Sequence, residues 1–489
     1  MSGDLSMSSA VELASKIRSG QISSVAVVER CLERIDSVDS GLGAFLHVDR
    51  EGALQAATRI DKTVKNGNEA GPLAGVPVAI KDIISVQGLP TTCASRILEK
   101  YVSPFDATVV TRLKAAGAIV IGKTNLDEFA MGSSTRSSAF QLTRNPWDTT
   151  RVPGGSSGGS AVAVSAGMTP IALGSDTGGS VRQPAALCGI SGIKPTWGTN
   201  SRYGLVAYAS SLDQIGCMGR TAVDLAATLS IIAGYDPLDA TTGPAVSIGT
   251  PQTLLSVDVA KMRVGWIPKL LDAAVDPEIS SAIRLAAAML AKEVGQVTES
   301  ALPFADQLTP VYYIIAMSEA SSNLSRFDGV RYSSRAEQDG DGLNELYTRT
   351  RGAFFGEEVQ RRILLGTHSL SAGYYKQYYE QASRVRRLVQ QALLQEFRNV
   401  DVILLPTTAT PAGPIDGEID PVQTYRSDQF TVAANLAGLP AISIPCGFSI
   451  DGLPIGLQAI AAPHREDVLL SLAHRWQQLT DWHDRRPVV

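Results

Sequence analysis

The chain of 489 residues has only five histidines, and none lies between His47 and His368. Imidazole is the commonest proton acceptor for a serine or cysteine nucleophile, so such chemistry in that long interval needs another base. Cysteine is also sparse. Cys31, Cys93, Cys188, Cys217 and Cys446 are scattered, with no C-x-x-C pair and no Cys/His cluster. That spacing offers neither a zinc site nor a disulfide framework, and it points to reduced thiols in a cytoplasm. No run reaches the roughly 18 apolar residues of a membrane-spanning helix. The start, Met1-Ser2-Gly3-Asp4-Leu5, lacks the basic and apolar regions of a signal peptide. Excess positive charge is missing too. A net charge of −5 and a pI of 5.7 argue against a dedicated nucleic-acid binder, while RNA contact through a partner subunit stays open.

What is present is apolar material. Hydrophobic residues make up 44% of the chain and mean hydropathy is +0.06, which fits a large buried interior. Val11, Leu13 and Ile17, then Val27, Val28, Cys31, Leu32 and Ile35, recur at helical spacing and predict two amphipathic helices punctuated by Gly20 and Gly41. A short apolar strand ends at Lys81-Asp82. Helix followed by apolar strand recurs three times: Ala107–Ala116 into Ala118-Ile119-Val120-Ile121, Gly158–Gly167 into Ile171-Ala172-Leu173, and Tyr374–Phe397 into Val402-Ile403-Leu404-Leu405. A hairpin is predicted from Ala441–Ile444 and Ile455–Gln458 around Asp451-Gly452, and a last helix over Glu466–Leu479. This alternation predicts an α/β fold with helices covering a largely buried sheet. The Gly/Pro-rich stretch Thr407–Pro421 reads as a loop, and the chain reads as one domain over 1–489.

Two Gly/Ser-rich stretches stand out: Gly154-Gly155-Ser156-Ser157-Gly158-Gly159-Ser160 and Gly174-Ser175-Asp176-Thr177-Gly178-Gly179-Ser180. Glycines permit close backbone approach, and consecutive N–H groups there can converge on a developing negative charge. Ser180 and Ser156 each precede a predicted helix, so each also reads as an ordinary N-cap. A phosphate loop is disfavoured because no lysine follows the glycines as G-x-x-x-x-G-K-[ST] requires. Lys81 closes the run Val76-Pro77-Val78-Ala79-Ile80. It reads as a lysine snorkelling from a strand end or as the missing base. Free lysine titrates near about 10.4, and burial without an acid partner would lower that value. Asp82, if it pointed inward, would raise it again.

Together, Lys81, the Gly154–Ala161 stretch and Asp176-Thr177-Gly178-Gly179-Ser180-Val181-Arg182 resemble the amidase signature family, with its core over about 70–225. The resemblance implies that family's fold, a central mixed β-sheet covered by helices on both faces. It implies a Ser–Ser–Lys triad: Ser180 as nucleophile, Ser156 as bridging serine after a cis peptide, and Lys81 as base. Thr177, Gly178 and Gly179 would supply the oxyanion hole.

Further segments resemble the A-subunit family of the glutamyl/aspartyl-tRNA amidotransferases. They include Ser201–Val206, Ala209–Gln214, Glu319–Tyr332, Arg361–Thr367 and Asn435–Pro440. This second resemblance implies hydrolysis of glutamine, with ammonia passed on for amidation of Glu-tRNA(Gln) or Asp-tRNA(Asn). Arg361 would grip the α-carboxylate and Asp428 the α-ammonium, although Arg362 is next in sequence and an equal candidate from spacing alone. Arg361, Arg362, Arg384, Arg386 and Arg387 also fit a solvated helix face. The resemblance implies no cofactor and no metal in this chain. ATP, Mg²⁺ and tRNA would bind a partner, the B subunit, with a small C subunit in the same complex. The assembly would work in the cytoplasm, away from membranes. A stand-alone amidase acting on a small aliphatic, aryl or peptide amide is the competing reading. Trp197 and Cys217-Met218 depart from the usual pattern of the A-subunit family. Without a histidine nearby, Cys188 and Cys217 read as buried small residues rather than nucleophiles.

Overall fold

The computed structural model describes residues 8–243, 248–273, 275–417, 425 and 427–489. Its strands are β1 (Phe45–Val48), β2 (Pro77–Lys81), β3 (Ile119–Thr124), β4 (Ile171–Asp176), β5 (Ser191–Lys194) and β6 (Gln214–Gly219). They continue with β7 (Arg263–Trp266), β8 (Gln296–Glu299), β9 (Val402–Pro406), β10 (Ala441–Phe448) and β11 (Pro454–Ala461). All eleven join one sheet in the order β1-β3-β2-β4-β6-β5-β10-β11-β9-β7-β8. β2 runs parallel to β3 and β4, and β7 runs parallel to β8 and β9. The other pairings are antiparallel, so the sheet is mixed.

Successive strand residues point to opposite faces, and the core divides accordingly. Val78 and Ile80 of β2 join one apolar cluster while Ala79 joins another; β4 splits the same way, Ile171 and Leu173 against Ala172. One face is covered by helices Ser24–Leu42, Arg50–Lys65 and Gly158–Ser165 through Val28, Cys31, Ala57 and Val162. The other is covered by helices Ala10–Arg18, Thr108–Ala115 and Ala222–Ile232 through Leu13, Ile17, Leu113 and Leu229. The α/β architecture read from the alternation is therefore present. Among the described residues no helix is long and apolar enough to cross a membrane.

Three boundaries differ from expectation. Gly41 lies inside the second helix, which closes instead at Gly43, where φ is 65° and the N–H bonds to Asp39 O at 2.7 Å. A Cβ at Gly43 would meet Leu142 O at 2.3 Å, so glycine is required there for space as well as conformation. β3 runs past Ile121 through Gly122, Lys123 and Thr124, which pair with Ala79, Ile80 and Lys81 of β2, and the buried Lys123 side chain meets Asp82 just past the end of β2. The helix expected over Tyr374–Phe397 opens with a wide turn at Lys376–Glu380 before becoming regular over Gln381–Glu396. The hairpin and the helix Glu466–Leu479 stand where the pattern put them. The expected loop at Thr407–Pro421 ends outside the described residues.

Candidate active site

Lys81 and Asp176 end two adjacent parallel strands, β2 and β4. The carboxyl ends of such strands are where α/β sheets expose backbone and side chains to ligands. Lys81 is fully buried, and its Nζ donates to Ser156 Oγ (2.8 Å) and Ser175 Oγ (2.9 Å). Asp82 is the next residue and engages other groups. Lys123 Nζ lies 2.8 Å from its Oδ1, and Thr92 donates to Oδ2 through N–H (2.9 Å) and Oγ1 (2.5 Å). The neighbour that would have kept Lys81 protonated is committed to Lys123. Burial lowers the Lys81 ammonium to about 7, against the opposing pull of Asp127, Asp176 and Asp213.

Ser156 is fully buried behind a cis Gly155–Ser156 peptide. Gly155 N–H donates to Gln183 Oε1 (2.8 Å), and Ser156 O accepts from Asp127 N–H (3.2 Å). Ser180 keeps 9% of its surface exposed, whereas Lys81 and Ser156 keep none. Its carbonyl accepts from Ser157 N–H (3.2 Å), which ties the two Gly/Ser loops together. The structure thus brings Lys81 and Ser156 into direct contact. Ser180 sits alongside, with no Ser156–Ser180 side-chain hydrogen bond among the described residues.

The turn carrying Ser180 is tightly enclosed. Gly179 has φ 136°, and a Cβ there would meet Thr431 Oγ1 at 2.3 Å; at Gly178 it would meet the Tyr312 ring at 2.5 Å. Asp176 anchors the turn. It accepts from Gly179 N–H (2.9 Å), Val181 N–H (3.2 Å) and Asn435 Nδ2 (2.8 Å), and it takes two bonds from Arg182 at 3.0 Å each. Burial alone would raise its carboxyl, yet the Arg182 charge and hydrogen bonds hold it at about 2. Gly179 N–H is therefore already engaged, unlike the free donor expected of it. Thr177 Oγ1 donates to the buried Asp213 (2.7 Å).

A cavity of about 300 Å³ has walls that include Asp127, Ser133, Glu358, Arg361 and Tyr425; Lys81, Ser156 and Ser180 do not line it, and Asp127, whose N–H bonds Ser156 O, connects it to them. Arg361 and Arg362 separate cleanly. Arg361 is 41% exposed, faces this cavity and pairs with Glu358. Arg362 is buried: it donates to Glu358 Oε1 and Tyr208 Oη (2.8 Å each), and the Tyr208, Tyr313 and Tyr425 rings lie 5.4–5.7 Å from its guanidinium. The solvated-face reading fails for Arg362, and also for Arg386, which donates to Leu436 O and to Ser211. Asp428 is buried and accepts from Tyr313 Oη (2.7 Å). Burial lifts its carboxyl to about 7. Its neighbour Ser427 bonds Ser133 on the cavity wall (2.9 Å), and Tyr313 stacks on Tyr425 with centroids 4.3 Å apart. Arg361 and Asp428 thus belong to one continuous polar and aromatic assembly. Among the described residues no group of three His, Cys, Asp or Glu side chains is placed to hold a metal ion.

The family model for amidases matches residues 26–470. The chain belongs to the amidase family. It is 51% identical over 96% of its length to the A subunit of glutamyl-tRNA(Gln) amidotransferase from Chloroflexus aurantiacus, covering 96% of that protein. It is also 51% identical to the same-named protein of Symbiobacterium thermophilum, over 99% of both chains. The crystal structure of the A subunit of glutamyl-tRNA(Gln) amidotransferase from Thermotoga maritima superposes with a TM-score of 0.75 at 43% identity, covering 91% of this chain and 89% of that one.

In this amidase several functional groups escape a reading of the sequence. Ser175, the second hydroxyl on Lys81, stands inside the Gly/Ser motif with nothing to mark it out. The Asp176–Gly179 contact is a local Asp-x-x-Gly turn whose spacing is a readable signal. The enclosure of Arg362 by three tyrosines from distant segments has no local signal. Burial pushes the Cys188 and Cys217 thiols up, which fits their reading as small core residues.

Proposed function

We propose that this amidase is the glutamine-hydrolysing subunit of a tRNA-dependent amidotransferase. The observation that carries the reading is the buried Lys81–Ser156 contact, joined through Asp127 to a cavity lined by the guanidinium of Arg361, with the buried carboxylate Asp428 next to Ser427, which bonds the cavity residue Ser133. A free α-amino acid presents the complementary pair of charges. Neutral Lys81 takes the Ser156 proton as Ser156 takes that of Ser180, the serine contact closing once substrate is seated. Ser180 Oγ attacks the side-chain amide carbon. Thr177 and Gly178 N–H groups receive the oxyanion, with Gly179 N–H held back by Asp176. Collapse breaks the C–N bond, Ser156 returns a proton to the departing ammonia, and water hydrolyses the Ser180 ester to glutamate.

The relatives' naming as one subunit of an amidotransferase supports an assembly with at least one partner. We assign tRNA, ATP and Mg²⁺ to that partner, a stabilising role to a third, small protein, and the cytoplasm as compartment. Strands from both ends of the chain share one sheet, which supports a single functional domain. The test is ammonia release from glutamine by the protein purified with its co-purifying partners. Ser180→Ala should lower the rate by at least about 10³-fold, as loss of a nucleophile does. Turnover of an aryl amide but not of glutamine, still dependent on Ser180, would replace this reading with that of a stand-alone amidase.

A further inference from the structure

One buried carboxylate plays no part in the mechanism above. Glu128 is 1% exposed, and its Oε2 accepts from Gly356 N–H at 2.9 Å. Its Oε1 accepts from Ser95 Oγ. Gly356 is the N-cap of helix Glu357–Leu370, which carries Arg361. The approach is close enough that a Cβ on Gly356 would lie 2.3 Å from Glu128 Oε2. Gly356 has φ −70°, so a side chain there would not strain the backbone but would displace the Glu128 carboxylate. The segments meeting at Glu128 are themselves strained: Cys93 and Ala94 precede Ser95 with φ 55° and 54°, and Phe129 and Ala130 follow Glu128 with φ 50° and 62°. Non-glycine residues hold such angles only where their surroundings over-determine them, commonly at functional sites. Phe129 N–H bonds to Cys93 O (2.9 Å), a second tie between the two segments. Glu128 N–H bonds to Ser137 Oγ (3.1 Å), which donates to Asp127 Oδ1 (3.0 Å).

We infer that Glu128 is a positioning residue that latches the Arg361 helix to the Asp127 loop and so sets the grip on the substrate α-carboxylate. The inference rests on the reading of Arg361 as the carboxylate clamp. Asp127, Glu128, Gly356, Glu358 and Arg361 all line the cavity, and the Glu128–Gly356 hydrogen bond joins the segment that carries the first two to the one that carries the other three. The carboxylate at the helix N-terminus also meets the positive end of the helix dipole. Burial raises its carboxyl to about 7, and no cation pairs with it among the described residues. A neutral amide of the same shape therefore substitutes well.

The test is the steady-state kinetics of ammonia release from glutamine, measured on the assembled protein. Glu128→Ala should raise KM roughly tenfold, as loss of one hydrogen bond to a charged group does, with kcat within about threefold. Glu128→Gln should restore KM to within about threefold of the parent. Gly356→Ala leaves the carboxylate in place but pushes it off the helix; it should reproduce the KM rise, and it carries the test if Glu128→Ala does not fold. In an Arg361→Ala background, Glu128→Ala should add less than about twofold, because it acts through Arg361. Additive effects, a fall in kcat with KM unchanged, or no rescue by glutamine at position 128 would each overturn the latch while leaving the clamp intact. An unchanged KM in Arg361→Ala alone would overturn the clamp reading, and the latch with it.

Discussion

Lys81 and Asp428 are opposite in charge type yet are driven to the same titration range by the same cause. Burial lowers the lysine to about 7 and raises the carboxyl to about 7. In the proposed mechanism both must be deprotonated for turnover, Lys81 to accept a proton and Asp428 to receive the substrate ammonium. In the free enzyme two protons therefore leave in one range, and log kcat/KM should fall with a slope approaching 2 below about pH 6 and flatten above about pH 8. Once glutamine is bound, its ammonium keeps Asp428 ionised, so log kcat should fall with a slope near 1, reporting Lys81. Asp428→Asn should raise KM and reduce the kcat/KM slope to 1. Glutaminase rates between about pH 5 and 8.5 check this. A slope of 1 in kcat/KM for the parent protein would mean that only one of the two groups is tuned as described.

Helix Glu357–Leu370 packs against helix Ala305–Asn323 with Gly366 set directly against the Met317 backbone. A Cβ on Gly366 would stand 1.9 Å from Met317 O. Gly366→Ala must separate the helices, at about 1–3 kcal/mol or more by the usual cost of overpacking. Because Arg361 rides on the displaced helix, KM for glutamine should rise as well. Gly352→Ala, which meets nothing within 4 Å inside helix Leu343–Phe354, should instead stabilise by roughly 0.5–1 kcal/mol. Urea midpoints for the two variants should move in opposite directions. Legibility divides along the same lines. Elements with an apolar period, such as β2, the late hairpin and the last helix, are readable because burial and pattern agree along the local chain. The Gly/Ser loops are readable because their residue types leave few alternatives. What decides Lys81, however, is where Asp82 turns, and that depends on Lys123 in β3, a pairing that alternation along β2 does not reveal. The division of labour between Arg361 and Arg362 likewise depends on Tyr208, Tyr313 and Tyr425, which only the tertiary fold gathers.

Charge at the scale of the whole molecule bears on what the chain can hold unaided. Among the described residues ten acidic side chains are buried against six basic ones, Lys81, Lys123, Lys194, Arg182, Arg220 and Arg362. The whole sequence carries 43 Lys and Arg against 48 Asp and Glu, so its charge is close to balance rather than basic. The interior cations are committed to the fold and the site. A polyanion gains affinity by releasing counterions to a concentrated basic surface, and a balanced surface gives little of that gain. The isolated chain should therefore fail to retain tRNA at micromolar protein and about 0.15 M salt, whereas the chain with its co-purifying partner should retain it. A mobility-shift titration at two salt concentrations checks this. Retention by the chain alone, weakening steeply with salt, would relocate the tRNA contact onto this chain and require a basic surface that its composition argues against.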